Sequence, residues 1–183
     1  MAEQQYFPEL VIAGERIDLS HLEPFSFEID SRLAKKVLTV HVTFSNHCFS
    51  HKYKAEKHPE GWPIIDQDSP RPRTFCPVRH RLSQQLPALI LGFNHPKSKV
   101  QQTKALRNWA YTLTIEDPSG PYYVFFEIRK AVQQGRQKQD LTIVVESAYH
   151  DDPEEPDPVF LGDMSFLILC ANTYMRKPVA VKR

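Results

Sequence analysis

Leu141-Thr142-Ile143-Val144-Val145-Glu146-Ser147-Ala148-Tyr149 is rich in β-branched residues and alternates, the pattern of a half-buried strand. Strict alternation puts Leu141, Ile143, Val145, Ser147 and Tyr149 on one face, and Thr142, Val144, Glu146 and Ala148 on the other. Working back along the chain, Tyr122–Arg129 alternates in the same way, with Val124, Phe126 and Ile128 against Phe125, Glu127 and Arg129. Leu106–Ile115 precedes it, separated by the turn signal Asp117-Pro118-Ser119-Gly120. Forward of Tyr149, the apolar run Met164–Cys170 reads as a last strand. These four segments predict an antiparallel meander.

Upstream of the meander, Leu82, Leu86, Leu89, Ile90 and Phe93 recur at helical spacing and predict one main helix over Leu82–Phe93. Ser83 is the candidate N-cap, and Asn94-His95-Pro96 is the stop. Further back, Phe25–Asp30 and Val37–Phe44 alternate and predict an N-terminal β-hairpin. Between hairpin and helix, Asn46–Arg73 reads as a long loop carrying His47, Cys48, His51 and His58. The expected class is α+β, with one main helix packed on a four-stranded antiparallel meander. The β-hairpin at 25–45 and a long His/Cys-containing loop or arm at 46–81 precede helix and meander at 82–172, and a tail spans 173–183. At 183 residues this makes one domain, 1–183.

Composition narrows the function classes. Six glycines against 15 prolines disfavour glycine-rich nucleotide-binding loops, and no Walker, Rossmann or His-Glu-x-x-His motif occurs. No apolar run is long enough to cross a membrane, no signal-peptide pattern opens the chain, and three cysteines make no disulfide framework. A cytoplasmic location is therefore expected.

The net charge is +1, but its distribution is uneven. Arg71, Arg73, Arg79, Arg81, Lys97, Lys99, Lys104 and Arg107 fall in a stretch without one acid. Asp140, Glu146, Asp151, Asp152, Glu154, Glu155, Asp157 and Asp163 fall in a later stretch without one Lys or Arg. Two readings follow. The segments face and neutralise each other, or the basic one meets phosphate. On the second reading Arg71, Arg73, Arg79, Arg81, Lys97 and Lys99 contact nucleic acid, RNA in the first instance.

Four of the eight histidines lie between His41 and His58. Histidine suits proton transfer near neutrality. Cleaving RNA without a metal in the reaction requires a base, an acid and a cation beside the phosphorus. His41, His47, Glu146 and Tyr149 are the candidate catalytic residues, with Glu127, Arg129, Arg79 and Arg81 available beside them. A separate constellation, Cys48-x-x-His51 with Cys76-x-x-x-His80, has the residue types of a Cys₂His₂ structural zinc site. On the alternative reading those four residues are buried thiols and surface imidazoles.

A helix followed by an antiparallel meander with dispersed His, Arg, Glu and Tyr resembles the barnase-, colicin- and RelE-like ribonuclease toxins over roughly residues 80–172. The resemblance is architectural and transfers no site residue. It implies an RNA-acting protein of a bacterial or phage conflict system, with metal-independent ribonuclease as the expected activity. Two non-enzymatic readings stand beside it. One is an inhibitor or binding protein that presents the acidic loop Asp151 to Asp157 to a protein partner. The other is a zinc-stabilised interaction module.

Overall fold

The structure is a computed structural model that describes residues 6–58, 62–66, 70–104, 108–132, 139–150 and 157–179. It opens with a small hairpin, β1 (Leu10–Ile12) and β2 (Glu15–Ile17). Ala13 and Gly14 turn it with φ of 51° and 84°, the pair of positive values that a tight primed turn needs. After β3 (Phe25–Ser31) and β4 (Lys36–Phe44) come a 3-10 turn at Asn46–Cys48, β5 (Ser50–Lys52), β6 (Arg73–Phe75), α1 (Pro77–Ser83) and α2 (Leu86–Gly92). The chain then forms β7 (Lys99–Thr103), β8 (Asn108–Glu116), β9 (Ser119–Lys130), β10 (Leu141–His150), β11 (Phe160–Ser165) and α3 (Phe166–Tyr174).

The expected four-stranded meander under one helix is replaced by a curled, mixed sheet of seven strands in the order β11-β7-β8-β9-β10-β4-β3, with three short helices. The hairpin β3–β4 is not a separate preface. Val40, Val42 and Phe44 lie in register with Leu141, Ile143 and Val145, so β4 pairs with β10 in parallel. Burying one continuous apolar face across both strands, with their backbone groups hydrogen-bonded, leaves no dry unpaired edge between them. At the other side β7 and β11 extend the meander.

Three local differences have identifiable causes. Leu82–Phe93 is two helices, broken at Gln84-Gln85. Pro87 has no N–H, and its ring excludes the carbonyl four residues earlier, so the first helix ends at Ser83 and a new one starts at Leu86. Met164–Cys170 is not one strand, because β11 stops at Ser165 and α3 begins at Phe166. Phe166, Leu169 and Cys170 are all buried, a helical spacing that a short apolar run does not reveal. The 46–81 segment carries a 3-10 turn, a two-stranded ladder and α1 rather than an unstructured loop.

One face of the large sheet is the core. Val40, Val42, Val124, Phe126, Leu141 and Ile143 are inaccessible there, and α2 and α3 cover them through Leu86, Ile90, Phe166 and Leu169. Phe93 sits among Tyr111, Phe126 and Phe166 with ring centroids 4.7–5.7 Å away. The opposite face carries His41, Thr43, Val144, Phe125, Glu127 and Asn108, all half-buried. Among the described residues no helix is long and apolar enough to cross a membrane.

Candidate active site beyond the parallel strands

β4 and β10 run in the same direction, and the site forms past the end of β4. Ser45 N–H donates to the Val145 carbonyl at 2.9 Å, which holds the departing chain against β10. The 3-10 turn then starts, with Ser45 Oγ accepting from His47 N–H at 3.1 Å. This turn sets His47 beside β10.

On β10 the alternation breaks. The register against β9 shifts between Val145 and Ser147, a bulge that admits one extra residue, Glu146. Ser147 is therefore paired with Phe125 and Tyr149 with Tyr123, on the solvent-side face, while Ala148 turns into the core. Strict alternation groups Ser147 and Tyr149 with Leu141, Ile143 and Val145; the bulge moves them to the opposite face. Asn108 Nδ2 donates to Glu146 Oε2 and fixes the carboxylate.

The short ladder β5–β6 supplies the cations. Lys52 lies opposite Arg73, and Ser50 opposite Phe75. Arg73 donates through Nε to Ser50 Oγ at 2.8 Å and through Nη2 to the Ser50 carbonyl at 2.6 Å. Arg79, on α1, donates to the same carbonyl at 3.1 Å. Ser50 Oγ donates in turn to the Asn46 carbonyl at 2.7 Å. Ser50 thus accepts from two arginines that are only 7% and 2% exposed. Arg79 also stacks over the Tyr149 ring at 5.0 Å, and Tyr149 is stacked on Phe125 at 5.3 Å.

Two adjoining clefts result, with His47, Ser147 and Tyr149 as their common wall. One, about 550 Å³, adds Ser45, Asn108, Phe125, Val144 and Glu146. The other, about 330 Å³, adds Lys52, Arg71, Arg73 and Arg79. His47 is pushed down to about 4, by burial first and then by the Arg73 and Arg79 charges, with Asp66 opposing them. It is a neutral imidazole at neutral pH, held beside fixed positive charge. That combination can accept a proton while stabilising an anion. A larger cavity of about 750 Å³ lies between Phe7, Leu10, Phe44 and Phe49, but neither histidine nor arginine lines it.

Of the residues singled out in the sequence, His47, Glu146, Tyr149, Arg71, Arg73 and Arg79 come together here. His41 shares the solvent-side face but lines neither cleft, and its Nδ1 lies 3.1 Å from Ser26 Oγ. Glu127 and Arg129 form a bidentate pair at 2.8 and 2.6 Å. Arg81 pairs with Asp117 at 3.0 Å and Lys99 with Asp163 at 2.8 Å, while Lys97 is exposed in the turn after α2. The Lys99–Asp163 pair joins the basic and acidic segments directly. Asp151, Asp152, Glu154 and Glu155 lie outside the described residues, and Asp157 is exposed.

The proposed zinc ligands take separate places. Cys48 is buried, its thiol donating to the Val145 carbonyl at 3.7 Å and pushed up to about 12 by burial. His80 Nε2 lies 2.8 Å from the Asp18 carbonyl, and Cys76 stands at the N-cap position of α1 without a side-chain capping bond. His51 faces His58 instead. Among the described residues no three His, Cys, Asp or Glu side chains converge on one point.

Sequence reasoning missed Ser45, Ser50, Lys52, Asn108, Phe125 and Ser147. Phe125 alone carried a signal, an aromatic ring in the polar phase of its strand. Comparison with family models matches residues 9–174 to the YjaZ family. No curated protein and no solved structure matches the chain.

Proposed function

The chain belongs to the YjaZ family, and from that starting point we propose that it binds RNA through a phosphodiester seated at the His47 wall and cleaves it. The observation that carries this reading is the neutral His47 imidazole set against the buried Arg73 and Arg79 guanidinium groups. In the reaction His47 takes the proton of a ribose 2′-hydroxyl as its oxygen attacks the adjoining phosphorus. The P–O5′ bond breaks, and the Tyr149 phenol gives its proton to the departing 5′-oxygen. The products are a 2′,3′-cyclic phosphate and a 5′-hydroxyl. Arg73 and Arg79 oppose the charge that builds on the phosphoryl oxygens. A phosphate in the cleft offsets the arginine charges and so raises the basicity of His47 at the moment it is needed.

Purified protein incubated with end-labelled single-stranded RNA, with and without a chelator, tests this from about pH 5 to 8. Cyclic-phosphate ends are expected. His47→Gln is expected to lower the rate by about 10²–10⁴, the usual contribution of a positioned base, and His41→Gln to leave it unchanged. No cleavage at any pH overturns the reading. RNA binding without cleavage would leave a binding protein in its place.

A further inference from the structure

The solvent-side face of the large sheet gathers aromatic rings beside the clefts. On β9 the residues out of phase with the core include Tyr123 and Phe125, and the bulge at Glu146 turns Tyr149 of β10 onto the same side. The Phe125 and Tyr149 rings are 5.3 Å apart and inclined by only 24°. Tyr123 stands 6.0 Å from Tyr149 and 6.1 Å from Phe125. Phe160 of β11 lies 6.2 Å from Tyr123. In the sheet β11 is three places from β9, about 14 Å on a flat one, so the curl of the sheet is what brings these two rings together. All four rings are half-buried.

Cross-strand aromatic pairs stabilise sheets generally, but here they keep to the half of the face that adjoins the cations. The same side of β3 and β4 is built from Ser26, Glu28, Thr39, His41 and Thr43. The β8 partners of Phe125 and Tyr123 are short, Ala110 and Thr112, so no long side chain from those two positions stands against the rings. Tyr149 walls both clefts, Phe125 lines the larger one, and Arg79 sits over the Tyr149 ring at 5.0 Å. Cations that track a phosphate backbone, next to flat rings that take its bases, are the two parts of a single-strand binding surface. Stacking serves any base, because every base has a π-face.

We propose that Tyr149, Phe125, Tyr123 and Phe160 form a stacking platform for the unpaired bases of a single-stranded nucleic acid whose phosphates lie along Arg71, Arg73 and Arg79. The proposal rests on the RNA reading above and adds how the substrate is chosen: as a single strand, held by its bases as well as its phosphates, with little regard to sequence.

The test uses the whole chain and a 2′-O-methyl strand of about ten adenylates, which lacks the hydroxyl that cleavage needs, against an abasic strand of the same length and charge. Fluorescence anisotropy at one salt concentration should show the base-bearing strand bound at least about fivefold tighter. Tyr123→Ala and Phe160→Ala should each weaken that binding about five- to 150-fold, the loss of one stacked base, and leave the abasic strand unaffected. Tyr123→Trp, which keeps a ring, should bind like the parent. In the parent protein the ring protons of Tyr123, Phe125 and Phe160 should shift with the base-bearing strand and not with the abasic one, a measurement that needs no variant to fold. Equal binding of the two strands overturns the platform and leaves the phosphate cleft standing. A loss in Tyr123→Ala that is the same for both strands does so too. Binding of neither strand overturns the platform and the RNA reading together.

Discussion

The Asp140 carboxylate accepts the Thr39 amide proton at 3.0 Å, while the Asp140 N–H donates to the Thr39 carbonyl at 2.8 Å. This reciprocal clamp sits at the first rung of the parallel ladder. Lys36 adds an ion pair to the same carboxylate at 2.7 Å. Partial burial works against the charged carboxylate, but the Lys36 and Thr39 donors outweigh it and hold its pKa below the ordinary value. Asp140→Ala should cost about 1.5–3 kcal/mol, the range for a hydrogen bond to a charged group. Lys36→Met should cost no more than about 1 kcal/mol, since the lysine side chain is 41% exposed. Urea unfolding of both variants checks the order, and equal losses would show that the ion pair, not the clamp, matters.

Acid should destabilise the fold earlier than carboxylates alone require. His21 and His47 are each lowered to about 4, and burial is the largest cause in both. The two arginines add to it at His47, and His80 adds to it at His21. An unfolded histidine titrates near about 6.5. The unfolded chain therefore binds protons first as the pH falls. The stability tied to these two neutral rings is complete above about 6.5 and is lost between there and about 4. Tm should decline over that window and the decline should flatten in His21→Gln. A level Tm down to about pH 4.5 would contradict the burial of both imidazoles.

The same depressed value should appear in catalysis. The acid limb of kcat/KM reports the base of the unliganded protein, so it should fall near 4 rather than at the ordinary histidine value. Arg73→Gln should move that limb upward, because it removes one of the charges that disfavour His47 protonation. A limb that stays in place would separate His47 from the rate.

Only part of the basic segment should contact RNA. Arg71 and Arg73 line the cationic cleft, whereas Arg81 and Lys99 line neither cleft. Arg71→Ala should reduce the salt dependence of single-strand binding by about 0.7 in the log–log slope, one phosphate contact. Arg81→Ala, Lys97→Ala and Lys99→Ala should leave the slope unchanged. Equal effects from all four would mean a diffuse field rather than a cleft.

In the core, Phe126 is fully buried and touches the rings of Phe93 and Phe166. Phe126→Ala should cost about 3–5 kcal/mol. A loss under 1 kcal/mol in thermal or urea unfolding would mean that α2 and α3 do not close over the sheet as described.

Alternation made β3, β4, β9 and β10 legible because each has one buried face. β7 was not, because Lys99-Val100-Gln101-Gln102-Thr103 offers a single aliphatic residue and buries Gln102 and Thr103 instead. The β4–β10 pairing depends on matching two strands far apart in sequence, which no local pattern encodes. For the site, charge and residue type pointed to His47, Glu146, Tyr149 and the arginines. Their grouping rests on the bulge at Glu146 and on Ser50, and neither a bulge nor a serine that accepts from two arginines has a spacing to read. The same lack of tertiary information made Cys48 look like a ligand when it packs beneath β10.

The parallel ladder also sets an order of events during synthesis. The β3–β4 hairpin leaves the ribosome early, but its partner β10 follows roughly 100 residues later, several seconds at ordinary elongation rates. Through that interval one side of β4 presents unpaired amides and carbonyls along Thr39, His41 and Thr43, the phase that the Thr39 and Ser45 bonds to β10 set. The nascent chain therefore carries an adhesive edge that only its own distant segment can close. Lys35 and Lys36 are exposed charges at the hairpin turn beside that edge, the residue type that discourages pairing between neighbouring chains.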